Sequence, residues 1–401
     1  FFRHYAYGSF KDLSEKMCYD MAMSYHLDGF LNVNGKPNEN FARELLELHT
    51  MGAENYAGVI DQGDVPTITV EDRGGPFGSD GVIQSKFVEN DVFEATRCLT
   101  GWRAGAGGFN YADNKHDRFQ KSVLKGGFTN IPANQGVQDG YDLLDLAAFH
   151  PGTAKHIARK LIVFFLQDNP TQAYVDHVAN VFYANRHNSN QLFKTYKAMF
   201  KHAEFKTLSN RQNKMTRPFD YLISLMRSTG CEYPFAFKYP FSTVRARMDY
   251  TGQTIFTWGT PDGIPHKSKF WMNSASFVQT WYVADLLIDY KEPNGDFLLP
   301  IVGLTVDAFQ SASSRTPASI AEYWMKRIFG YQPPSGWTGD VVYEALVKFL
   351  RSRPNNQNPK WGRTSPIPIA DIQSNVGPYR WNERIRGMVG MVASSPYFMQ
   401  R

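Results

Sequence analysis

The chain has 401 residues and a mass of 45.6 kDa, enough for one large domain or two ordinary ones, and its 42% apolar and 20% charged residues exclude a disordered polymer. With 43 basic against 38 acidic residues the net charge is only +5 and no dense Lys/Arg run stands out, which argues against nucleic-acid binding. Cys18, Cys98 and Cys231 form no C-x-x-C pair, which speaks against a disulfide framework and a zinc ribbon, and the longest purely apolar run, Leu161 to Leu166, is far too short to span a bilayer.

In chain order, Phe2 to Tyr25 reads as structured, and with Phe1 in place of an initiator Met the start reads as a processed or truncated end. Pro37-Asn38 then offers a cap before Glu39, and Gly52 stands beyond the far end, so residues 38–49 read as a helix. Ala53 to Val88 is rich in Gly and Asp, carries Pro66 and Pro76, and is expected to be an irregular lobe; its best strand pattern, Thr67 to Val70, is short. Further helices are expected at 90–100, 139–149, 153–166, 172–184, 191–202, 218–228, 277–290, 317–329, 339–350 and 384–394. Thr316-Pro317 and Gly330 bracket one of them. Arg103 to Lys115 reads as a Gly-rich loop and Ser352 to Ile369 as a Pro/Asn/Arg-rich connector. The fold class is therefore mainly α: a multi-helix, orthogonal or bundle-like globular domain with long irregular insertions and few short strands. We place a main helical domain at 1–290, with the insertion at 53–88, and a C-terminal helical part at 291–401 packed on it as one unit. The boundary is set at the stretch from Lys291 to Asp296.

The 38–49 helix poses the functional question. At 100° per residue, Asn40, Arg43, Glu44 and Glu47 share an arc of about 100°, and Phe41, Ala42, Leu45, Leu46 and Leu48 cover the rest. Periodicity alone fits a solvated face with an Arg43/Glu47 pair worth a few tenths of a kcal/mol. The wide apolar arc instead places much of the helix inside protein. His156, Arg159 and Lys160 share a face one turn apart. They read either as a solvated basic edge or, together with His150, as the partner surface for Glu44 and Glu47, so that buried charges are paired. Carboxylates, a His and an Arg converging beside a cleft would also form an acid/base and anion-binding set.

The run Gly35-Lys-Pro-Asn-Glu-Asn-Phe-Ala-Arg-Glu-Leu-Leu-Glu-Leu-His-Thr-Met-Gly52 resembles the signature of the bacterial domain-of-unknown-function family 1800. Asp91 to Trp102 resembles its second block, His116-Asp117 a third, Asp139 to Asp145 with His150 to Leu161 a fourth, and Gly252 to Gly263 with Trp271 the distal one. Against that pattern, 53–88 looks inserted and the family's usual N-terminal helices are missing before Phe1. The resemblance implies a mostly helical, exported bacterial protein (periplasmic, cell-surface or extracellular), often encoded beside a sulfatase-like partner; it implies no reaction. The candidate catalytic residues are Glu44, Glu47 and His150. The candidate binding residues are Asn38, Asn40, Arg43, His49, Trp102, His116, Asp117, Arg159 and Lys160.

No cofactor and no metal site is expected, since the ten His residues show no close ligand spacing. Asp61, Asp64, Glu71, Asp72 and Asp80 would be the ligands of any Ca²⁺ in the 61–80 loop, but without an EF-hand pattern they read as a solvated loop. The expected partners are other chains of a cell-surface or periplasmic assembly, with a glycan as a further candidate. Three function classes follow: a cell-envelope or extracellular binding and assembly module, a carboxylate-based acid/base enzyme on a glycan or other polymer, and a metal-dependent hydrolase.

Overall fold

In the computed structural model the described residues are 2–400, apart from 73–74, 106, 125–129, 208–212, 232–240, 255–256, 293, 334, 354–355, 360 and 375–378. Helices dominate, and the strands among the described residues form four separate two-stranded antiparallel hairpins. The helical punctuation works by ordinary capping. Thr316 accepts from the Ser319 amide, Pro317 opens the helix Pro317–Phe329, and Gly330 closes it in the left-handed region at φ 71°. The helix expected from Thr153 begins two residues earlier, as Pro151–Phe165, because the His150 ring itself accepts the Gly152 amide.

Two compact units divide the chain. The first comprises residues 1–210 with 259–263, the second 211–258 with 264–401. The division falls near residue 210 and not at Lys291 to Asp296. That stretch lies inside the second unit, where a Lys291–Phe297 bridge turns the chain from the helix Ser274–Asp289 to Ile301–Ala308, both lining one core.

In the first unit, Pro151–Phe165 packs on Gln172–Ala184, which packs on Gln191–Lys201, while Phe10–Cys18 lies against Gln138–Phe149 and Asn40–Glu44 against Glu89–Cys98. Gly140 allows Trp102 to lie on its helix, since a Cβ there would come within 2.2 Å of the indole.

The stretch 53–88 is no irregular lobe. It holds a hairpin, Thr67–Asp72 with Gly78–Gln84, and buries Val70, Phe77, Ile83, Phe87 and Val88 in or beside the main core. A buried carboxylate fastens it. Asp91 accepts the Gln62 amide at 2.6 Å, the Gln84 amide at 3.1 Å, and the backbone N–H groups of Val88 at 2.8 Å and Leu124 at 2.6 Å. The acids of the 61–80 loop go separate ways: Asp61 accepts the Gly63 amide, and Asp72 pairs with Arg186 and His187. The Asp80 side chain lies outside the described residues. The loops expected at 103–115 and 352–369 likewise contain short hairpins, Trp102–Gly105 with Gly108–Tyr111 and Ser352–Arg353 with Asn356–Pro359.

In the second unit, Pro218–Ser228, Ser274–Asp289, Pro317–Phe329, Val341–Arg351 and Trp381–Ala393 enclose a core in which Trp271, Trp324 and Trp381 are almost wholly buried. Buried Arg315 donates to the carbonyls of Phe309 and Ile367, each at 3.0 Å, and so ties a turn to a distant segment. Among the described residues no helix is long and apolar enough to cross a membrane.

Candidate functional site

The segment 38–52 begins as expected and then changes. Asn38 Oδ1 accepts the Asn40 amide at 3.1 Å and opens a five-residue α-helix, Asn40–Glu44. Leu45–His49 continues as a π-turn, a rare geometry that recurs at functional positions. The turn closes when the Thr50 hydroxyl donates to the Leu45 carbonyl at 2.6 Å and the Gly52 amide bonds the Leu46 carbonyl at 3.0 Å. Gly52 itself is at φ 91°, and a Cβ there would meet His156 Nδ1 at 2.2 Å.

The charges of this segment do not pair as the helical spacing suggests. Arg43 turns away from Glu47. Its Nη2 donates to Glu89 at 2.5 Å and to Glu39 at 3.0 Å, and its Nη1 to Glu89 at 3.2 Å. Arg43 and the Tyr56 hydroxyl together hold the Glu89 carboxyl below its ordinary range. The basic face of Pro151–Phe165 does reach this segment, but it meets backbone. Lys160 Nζ donates to the Leu48 carbonyl at 3.0 Å and His156 Nε2 lies 3.2 Å from the same oxygen, as suits a carbonyl left over by a helix end. His156 Nδ1 lies 3.0 Å from Glu54, and Arg159 donates to Gln172 at 2.8 Å.

Glu44 and Glu47 are therefore half-buried without an ion pair or hydrogen bond among the described residues, against the expectation that Arg43, His150, Arg159 or Lys160 would meet them. Burial first, and then the Glu47 charge, raise the Glu44 carboxyl above its ordinary range; Arg43 opposes this and Asp262 adds to it. His49 follows on the same turn with its Nε2 enclosed and unpartnered, and burial first, then Lys160, His156 and His26, push it down to about 4. The site thus combines two carboxylates that make no ion pair or hydrogen bond among the described residues with a neutral imidazole.

The other candidate residues lie elsewhere. His150 is wholly enclosed: Nδ1 accepts the Gly152 amide at 2.9 Å and Nε2 donates to the Gln84 carbonyl at 2.9 Å. That fixes the neutral tautomer and makes His150 a cap and a tie to the hairpin, with no atom left for a substrate. Trp102 is buried among Tyr19, Phe109 and Tyr141. His116 and Asp117 belong to a buried network in which His116 Nε2 lies 3.0 Å and Lys121 Nζ 2.5 Å from Asp139, while Arg97 clamps Asp117 at 3.0 and 3.1 Å. The structure therefore keeps Asn38, Asn40, Arg43, Glu44, Glu47 and His49 together, brings Lys160 to their backbone, and separates the rest. Among the described residues no group of three or more His, Cys, Asp or Glu converges as a metal ion would require.

Sequence reasoning missed Glu89 as the counter-ion of Arg43 and the approach of Asp262. The signal for Asp262 was present in the distal block Thr260-Pro-Asp-Gly263, because residues 259–263 belong to the first unit. A family model described as "Protein of unknown function (DUF1800)" matches residues 1–400. The chain belongs to the DUF1800 family. No curated protein and no solved structure matches it. The packing makes the 53–88 hairpin integral to this chain: Asp91 and His150 both bond to it.

Proposed function

We propose that this DUF1800 protein is an exported assembly module that receives a cationic side chain of a partner protein at Glu44 and Glu47. One observation carries the reading: both carboxylates are half-buried without an ion pair or hydrogen bond among the described residues, while Arg43, the guanidinium nearest Glu44, is already held by Glu89 and Glu39. A desolvated charge without a partner is costly, and folds ordinarily pair it. A Lys or Arg from another chain would complete this one. Export and a cell-surface or periplasmic location rest on the family resemblance. The test is purification from the native source with identification of co-purifying chains, comparing wild type with the double variant Glu44→Gln/Glu47→Gln. The partner should be lost from the variant and released from wild type as ionic strength rises. Retention by the variant, or an association indifferent to salt, would overturn the proposal.

A second reading, acid/base chemistry on a glycan or other polymer, is favoured by the raised Glu44 carboxyl, since a proton donor works best near ambient pH. Under that reading Glu44→Gln abolishes turnover while leaving substrate affinity in place.

A further inference from the structure

A cleft within the second unit, between the helices Ser274–Asp289 and Trp381–Ala393, has a volume of about 850 Å³. Pockets that take small molecules run to ~300–1,000 Å³, so it has room for a ligand of several rings. Three features of its wall have complementary chemistry.

The first is an aromatic plate. Trp281 is 40% exposed at the cleft, and its ring stacks on Phe277 with centroids 6.0 Å apart and planes 23° apart, which holds the indole in one orientation. The second is a built donor. Arg386 is only 7% exposed; its guanidinium lies 3.7 Å above the Phe297 ring, Nε donates to Asn382 at 3.0 Å, and Nη1 donates to Asp289. Its Nη2 has no hydrogen bond among the described residues. The third is an acceptor. Asp285 is exposed one turn along from Trp281 and makes no ion pair or hydrogen bond among the described residues.

We infer that this cleft is a binding site for a neutral saccharide. A sugar ring offers an apolar C–H face to an aromatic plate and hydroxyl groups that both donate and accept. Trp281 meets the first requirement, and Asp285 with the free edge of Arg386 meets the second. Charge points the same way. Asp285, Asp289 and Glu383 stand against Lys291 and Arg386 in the lining, so neither a strongly anionic nor a strongly cationic ligand finds a matching excess. The inference is independent of the partner proposed for Glu44 and Glu47, which belong to the first unit.

The test uses the full chain, titrated calorimetrically with a panel of neutral oligosaccharides built on glucose, galactose, mannose and N-acetylglucosamine. At least one should bind and perturb tryptophan fluorescence. Trp281→Ala should weaken it about tenfold, equivalent to about 1.4 kcal/mol, and Asp285→Asn should weaken it by a smaller factor. Asp285 is exposed and makes no ion pair or hydrogen bond among the described residues, so Asp285→Asn should leave the melting transition in place. Glu44→Gln should leave the sugar affinity unchanged. Absence of binding across the panel at millimolar sugar, or binding that neither Trp281→Ala nor Asp285→Asn alters, would overturn the inference. Loss of sugar binding on Glu44→Gln alone would also overturn it, by moving the sugar to the first unit.

Discussion

Glu44 stands three residues before Glu47, and like charges at that spacing cost about 0.2–0.5 kcal/mol. Replacing Glu44 with Gln should therefore raise stability at neutral pH by a few tenths of a kcal/mol, the opposite of what a paired carboxylate would do. The pH dependence follows from the raised carboxyl. Folded Glu44 keeps its proton to higher pH than the unfolded chain does, so its contribution is fully present below the unfolded value near 4.5 and is lost as pH rises through the higher folded value. Chemical denaturation at a series of pH values should show that slope in wild type and not in Glu44→Gln. His150 acts with the other sign. Burial pushes it down to about 4 from 6.5, so its contribution is present above about 6.5 and is lost as pH falls toward about 4. His150→Asn keeps an acceptor at the helix start but loses the bond to Gln84; stability at pH 7 should fall by about 1 kcal/mol and the acid slope between those values should flatten. The same residue shows where sequence reading stops. Nothing in His150-Pro-Gly tells a capping imidazole from a catalytic one, because the difference lies in a carbonyl 66 residues away.

Among the elements, the 53–88 hairpin departs furthest from what its composition suggests. Strand Thr67–Asp72 was half legible from the alternation at Thr67 to Val70, but its partner, Gly-Ser-Asp-Gly-Val-Ile-Gln, carries two glycines, a serine and an aspartate and reads as a loop. Its pairing is supplied by register and by burial of Phe77 and Ile83, which no local pattern announces. Excising residues 60–86 should abolish the cooperative melt of the first unit as followed by circular dichroism, since it removes core side chains and leaves Asp91 and His150 short of partners. Asp91→Ala tests the fastening alone. It leaves four donors without their acceptor and should cost on the order of 3–5 kcal/mol. The helices were legible wherever caps and periodicity agreed, as at Pro317–Phe329. They were illegible where a turn widened: no residue pattern in Leu-Leu-Glu-Leu-His distinguishes a π-turn from an α one, so Arg43 and Glu47 read as a pair although the structure parts them.

At the scale of the molecule, the two hydrophobic cores are separate clusters, and seven of the eight tryptophans lie in the second unit, with only Trp102 in the first. Tryptophan fluorescence is therefore mostly a probe of the second core, whereas circular dichroism sees both. In denaturant the two signals should give non-coincident transitions, and Asp91→Ala should shift the dichroism curve while leaving the fluorescence curve in place. Coincident curves in both proteins would mean that the cores unfold as one. The mainly helical class was legible from composition and periodicity. The division near residue 210 was not, since it depends on which core each helix faces, and the Pro/Gly stretch after Tyr290 only joins two helices of one core.

The five residues 259–263 belong to the first unit although the chain on either side of them belongs to the second. During synthesis, this means that the first unit is not complete when residue 210 has been made. The ribosome must first deliver residues 211–263, about 3–10 s later at roughly 5–20 residues per second. Until then the surroundings of Glu44 lack Asp262, and the nascent first unit waits, unfinished, for a segment that arrives in the middle of its neighbour.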